Sequence, residues 1–330
     1  MKIPLHAVAL IGFLFSMATM NASEKIVARG VPAVQVPLAG LAREFTFPLG
    51  GRPDWMVMTD DAVWVANGKL KAVQRIDPKT NTVVAKIDFP APPCSGLAFG
   101  FGSVWVPLEG KPGALARIDA ATNQITATLL IAPASDEGSI TVSGDSVWLM
   151  GDEHGTLLRI DPATNTVRQK ISVPAGSFNP LYADGIVWVT GFESNVVTAV
   201  DAATGAIVET IAVGPKPRFL TAGGGAIWTL NQGDGSITRI DVKSRRVLAT
   251  IGAGLPGGGG EICYGAGSVW ATMLDVPLTQ IDATSNRVLR HWMGEGGDSV
   301  RFGHGSIWLT HLRGGLLWRI PLDPVGGVKP

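Results

Sequence analysis

"RIDPATNTV" at residues 159–167 and "RIDPKTNTV" at 75–83 are near copies of one another, and each stands eleven residues beyond a Val-Trp pair. The copied stretch reads as a strand, a turn and a second strand. Asp161 and Asp77 have side chains short enough to accept hydrogen bonds from their own following backbone, and Pro162 and Pro78 preset φ for a type I turn. Asn165 and Asn81 close the turn, and Asn123, Asn286 and Gly205 stand at the same point of other copies. Asn and Gly tolerate the positive φ that gives a hairpin the twist of its strands.

The tryptophan that precedes each turn sets the period. An apolar residue followed by Trp occurs at 63–64, 104–105, 147–148, 187–188, 227–228, 269–270 and 307–308, at intervals of 41, 43, 40, 40, 42 and 38 residues. Each interval holds four short β-type runs, because a strand such as "RFLTAGGG" (218–225) precedes the Trp strand and the turn joins two more. Four strands in about 40 residues is the unit of a β-propeller blade. The expectation is an all-β, seven-bladed β-propeller with four-stranded blades over residues 43–322. The last repeat, "IWLTHLRGGLLWRIPLDP", has three strands only. "REFTFPLGG" (43–51) matches a fourth strand, so the N-terminal strand is expected to close the last blade and remove its open edge.

Composition bounds the rest. The chain has 330 residues, 46% of them apolar, and 27 basic residues balance 27 acidic ones. No basic field is present to recruit nucleic acid or an anionic membrane. The start, "MKIPLHAVALIGFLFSMATMNAS", has a lysine, an apolar run too short to span a bilayer and then small residues that allow cleavage after Ala18 or Ala22. Residues 1–22 therefore read as a signal peptide for export, periplasmic or secreted, with 23–42 an extended segment and 323–330 a tail. Cys94 and Cys263 fall on opposite blades and are expected to be unpaired.

The units "VW…RIDPATNTV" and "VPAG…VW" resemble the YVTN-type repeats of exported seven-bladed propellers, a superfamily that includes the streptogramin lyases. That resemblance implies a metal-assisted lyase as one activity, with a histidine base, an acidic partner and a magnesium ion on one face. The lyase repeats often read "LWFTE", and at the corresponding strand ends of this chain only His311, in "IWLTH", is of a catalytic type.

In a propeller, functional side chains come from the segments entering the innermost strands and from the loops after the Trp strands. Counting back about ten residues from each Trp gives a ring of Asp54, Ser95, Glu137, Asn179, Arg218, Glu261 and Asp298, with Trp55 beside Asp54. The loops add Phe192, His311 and Arg313. Glu137, Glu261 and Asp298 are candidate ligands for a divalent cation, Mg²⁺ or Ca²⁺. Asp54, Trp55, Ser95, Asn179, Arg218, Phe192 and Arg313 are candidates for a polar ligand, and His311 for acid–base work. His291 and His304 read as structural. The expected function is an exported monomeric binding module for a small polar ligand or a protein partner. The alternative is a metal-assisted lyase or an ester or lactone hydrolase.

Overall fold

The computed structural model describes residues 30–93, 96–110, 113–131, 140–152 and 154–322. Residues 1–22, expected to be a signal peptide, Cys94, Ser95, Glu137 and residues 323–330 lie outside them. Seven antiparallel sheets form the blades, each a meander from an innermost to an outermost strand. Blade one runs through Pro53–Met58, Val63–Asn67, Ala72–Asp77 and Thr82–Asp88. Blade seven has three consecutive strands, Val300–Gly303, Ser306–His311 and Leu316–Pro321, and takes its fourth from the N-terminus. Phe45–Pro48 pairs antiparallel with the last of these, Phe45 opposite Arg319 and Pro48 opposite Leu316. The expected closure is present.

The repeat tryptophans are the packing centres. All seven are fully buried on the second strand of their blades. In five blades the indole N–H donates to the carbonyl five residues earlier, as Trp228 does to Gly223 (3.1 Å) and Trp308 to Gly303 (3.0 Å). In the other two it donates to a hydroxyl, Thr59 for Trp64 and Ser143 for Trp148. The indole thus clasps the first hairpin of its own blade and satisfies its one polar atom without water.

The arginine of "RID" explains why the copied stretch is copied. Arg117 lies over the ring of Trp105, 4.8 Å from its centroid. Its Nε donates to Ser103 Oγ within the blade, and its Nη1 crosses to the next blade, reaching the carbonyl of Pro162 (2.6 Å) and Asn165 Oδ1 (3.2 Å). Arg75 makes the same crossing to Ala120 and Asn123, and Arg239 to Asn286. Arg159 reaches the carbonyl of Ala203. Arg319 of blade seven reaches Pro78 and Asn81 of blade one and so joins the ends of the ring. Each Asp-Pro-x-Thr-Asn turn is therefore a hairpin for its own blade and an acceptor for the blade before it. The turn aspartates behave as expected: Asp119 Oδ1 accepts from the backbone N–H of Ala121 and Thr122, and these bonds hold its carboxyl below the usual range.

Two interfaces lack the arginine. Blade four has Ala199 at that position, and the facing turn of blade five carries Arg245, not Asn, at φ 59°. Blade six has Gln280, and blade seven offers no such turn because its fourth strand arrives from the other end of the chain. The N-terminal segment covers that region. Gln35–Pro37 adds to the outer strand of blade six, Arg287–Met293, as a parallel fifth strand. Leu38 and Leu41 then pack with Trp270, Trp292 and Trp318, and Arg43 stacks over Trp318 at 4.2 Å. His291 lies fully buried under this strand, its Nδ1 2.7 Å from Thr279 Oγ1, and burial lowers its pKa to about 4. His304 occupies the first turn of blade seven.

Arg117→Ala should cost about 2–3 kcal/mol, since four hydrogen bonds, two of them across the blade interface, and a stacked cation are lost; chemical denaturation of the pair of proteins measures it. Arg245→Asn should instead stabilise by about 0.5–1 kcal/mol, because Asn suits the left-handed turn position that Arg occupies under strain. A lower melting temperature in the asparagine variant would contradict that account.

Candidate functional site

The innermost strands enclose a central cavity of about 240 Å³. Its polar lining includes Asn179, Glu261, Arg301 and Thr141, its aromatic lining includes Trp55 and Phe219, and Leu97, Ile140 and Leu220 add apolar wall. The register is strict. Trp55, Asn179, Phe219 and Glu261 each stand nine residues before their repeat tryptophan. The backbone N–H of Asn179 donates to Thr190 Oγ1 and that of Glu261 to Thr272 Oγ1, which holds the inner strand against the Trp strand at this level.

Glu261 is 2% exposed and tied down on all sides. Arg301 Nη1 donates to its Oε2 (2.5 Å) and Arg301 Nη2 to its Oε1 (2.8 Å). Ser299 Oγ (2.5 Å) and the backbone N–H of Val300 (3.1 Å) also donate to Oε2. Burial pushes the carboxyl up to about 7, against the opposing pull of Arg301 and of these donors. The guanidinium lies over Trp55, 5.3 Å from the ring centroid, and Trp55 meets Phe219 edge to face at 5.7 Å.

The other sequence candidates are dispersed around this centre. Arg218 stands one residue before Phe219, and it is Phe219 that lines the cavity. The Arg218 guanidinium lies over Phe178 (4.9 Å), Phe192 (5.8 Å) and Phe219 (5.6 Å), an aromatic cage between blades four and five. Asp54 precedes Trp55 on the first inner strand and is partly exposed. Asp298 Oδ1 accepts from the backbone N–H of Gly260 (3.0 Å), and burial raises its carboxyl while that bond and Arg52 oppose. Ser95 and Glu137 lie outside the described residues.

Of the three carboxylates expected as cation ligands, Glu261 and Asp298 are each engaged by protein donors. Both oxygens of Glu261 are occupied by donors and its charge is met by Arg301. Among the described residues no group of three or more His, Cys, Asp and Glu side chains is arranged to hold a metal ion.

His311 lines a different cavity, of about 300 Å³, with Asp275, Glu295 and Arg313. Its ring packs on Trp318 at 5.2 Å, and burial lowers its pKa, with Arg43 adding to the effect and Glu295 opposing it. Among the described residues no carboxylate lies within hydrogen-bond reach of the imidazole. His311 and Arg313 are thus brought together, apart from the ring that holds Glu261. Cys263 is a free, buried thiol that burial pushes up to about 12.

Arg301 and Phe219 were missed by counting about ten residues back with slips allowed. A strict count of nine from each Trp finds Phe219. Arg301, two residues further along its strand, follows from the alternation of a β-strand, which returns a side chain to the same face every second residue.

Glu261 generates a pH prediction. A carboxyl whose folded pKa is raised contributes stability that is complete below its ordinary pKa of 4.5 and is lost as pH rises through about 7. Between about pH 5 and pH 8 the wild type should lose on the order of 1–3 kcal/mol relative to Glu261→Gln, in which that slope vanishes. Depressed histidine pKa values act in both proteins and cancel. Parallel slopes in thermal melts across this range would show that Glu261 does not titrate there.

No family model matches the chain, and no curated protein does. Among solved structures it is similar to a streptogramin B lyase, with TM-score 0.68 and 18% identity over 83% of this chain and 94% of that one. It is also similar to BamB from Moraxella catarrhalis, with TM-score 0.60 and 11% identity over 84% and 99% of the two chains. At such identities the likeness is one of fold. The chain is a seven-bladed β-propeller, closed through its N-terminal strand, with the fold of the streptogramin lyase structure.

Proposed function

We propose that this propeller is an exported binding module that takes a small polar ligand in its central channel. The observation that supports this is the convergence of Asn179 and the Glu261–Arg301 pair with Trp55 and Phe219 on one cavity of about 240 Å³. A few polar groups set in an apolar, preformed concavity are the usual make-up of a small-molecule site. Export is supported by the N-terminal sequence, with its lysine, short apolar run and small residues. The lyase or hydrolase reading rests on His311, whose cavity also carries Asp275, Glu295 and Arg313 but which has no carboxylate partner among the described residues.

A thermal-shift screen of small polar compounds against the mature protein tests the binding reading, because a ligand that binds the folded state raises its melting temperature. At least one compound should do so, and Asn179→Ala should weaken its binding by about 1–3 kcal/mol with little change in the melting temperature of the free protein. A ligand that binds Asn179→Ala as well as wild type places the site elsewhere. A ligand consumed by the wild type and left intact by His311→Ala would favour the enzyme.

A further inference from the structure

We propose that the free edge of the Arg301 guanidinium is a carboxylate-binding fork, and that the channel takes a small carboxylic acid with a compact apolar body. This deepens the reading of the channel as a ligand site and rests on it.

An arginine has five N–H donors in a fixed plane. At Arg301, Nη1 and Nη2 each give one proton to Glu261, end-on, and Nη1 gives its other proton to the carbonyl of Val300 (2.8 Å). What remains is Nε–H and the second proton of Nη2, which lie side by side along one edge. Neither has an acceptor among the described residues. Two parallel N–H groups at this spacing match the two oxygens of a carboxylate.

The fork is held ready. Glu261 fixes the guanidinium from one side and is itself fixed by Ser299 and Val300, while Trp55 lies across the guanidinium face. A donor pair immobilised beforehand costs little to order when a ligand arrives. Where Glu261 is ionised it balances the charge of Arg301, so recognition there depends on bidentate geometry and not on net attraction. A monocarboxylate completes a carboxylate–guanidinium–carboxylate sandwich, whereas a phosphate dianion brings a second charge towards Glu261 and no apolar body. The body is specified by the walls, where Trp55, Phe219, Leu97, Ile140, Leu181 and Leu220 surround a space that suits roughly one ring or one branched aliphatic chain.

Benzoate and its uncharged isostere benzamide are the probes, titrated calorimetrically into the mature wild-type protein. Benzoate should bind at least tenfold more tightly than benzamide, and Arg301→Lys should reduce benzoate binding at least tenfold, since lysine keeps the charge and loses the fork. In ¹H–¹⁵N spectra of the wild type, the Arg301 Nε–H resonance should move on adding benzoate and stay in place with benzamide. That measurement carries the test even if the lysine variant does not fold. Equal affinity for the two probes, or an unmoved Nε–H, overturns the carboxylate fork. If a neutral compound binds in an Asn179-dependent way while benzoate does not, the fork is wrong and the channel remains a binding site. If neither kind of compound binds, both readings fall.

Discussion

The ring depends on an arginine held between a tryptophan of its own blade and a turn of the next. Blades in a propeller meet face to face through apolar side chains, and such packing alone leaves neighbouring sheets free to slide. The guanidinium removes that freedom because its donors have fixed directions. Arg75, Arg117, Arg159, Arg239 and Arg319 each reach the turn of the blade that follows, and Arg319 does so across the junction between the last blade and the first. The serine two residues before the Trp belongs to the same device in blades two, three and seven, where Ser103, Ser146 and Ser306 accept the arginine Nε–H. One short sequence is thus constrained twice, as a hairpin and as its neighbour's acceptor.

Where the device is missing, the chain uses other means. Blade seven borrows its outer strand from the N-terminus and so has no turn to receive an arginine from blade six, and blade six carries Gln280, whose Nε2 donates to Ser268 Oγ. The N-terminal segment supplies apolar cover there through Leu38 and Leu41 and a stacked Arg43. On the face bearing the first turns, small residues accept large neighbours: a Cβ on Gly223 would overlap Tyr264, and one on Gly265 would overlap Phe302.

The channel wall carries one charge pair, Glu261 of blade six with Arg301 of blade seven. A buried carboxylate and guanidinium leave water at considerable cost, and removing one partner leaves an uncompensated charge. Ser299 and Val300 complete the donors to Glu261, so both carboxylate oxygens are satisfied. Such a pair does not by itself make a fold more stable than an apolar core would. Its position on the axis, beside aromatic faces, is the reason to read it as part of a site.

Much of the architecture was legible in the repeats. The Trp period, the Asp-Pro-x-Thr-Asn turn and the strand missing from the last repeat are local or periodic features, and local geometry such as a positive φ at Asn81, Asn123, Asn165, Gly205 and Asn286 follows from residue type. The site was legible only in part. Trp55, Asn179 and Glu261 keep the register of the Trp and line the cavity, while in blade five that register falls on Phe219 and not on Arg218, since a one-residue slip turns a strand side chain to the opposite face. That Glu261 meets Arg301, forty residues away on the next blade, could not be read from either stretch. By itself the sequence determined how each blade folds, because turns and alternation act over a few residues. Which side chains face one another across the axis was decided only when seven blades closed into a ring, because that closure sets distances between residues that no local rule relates.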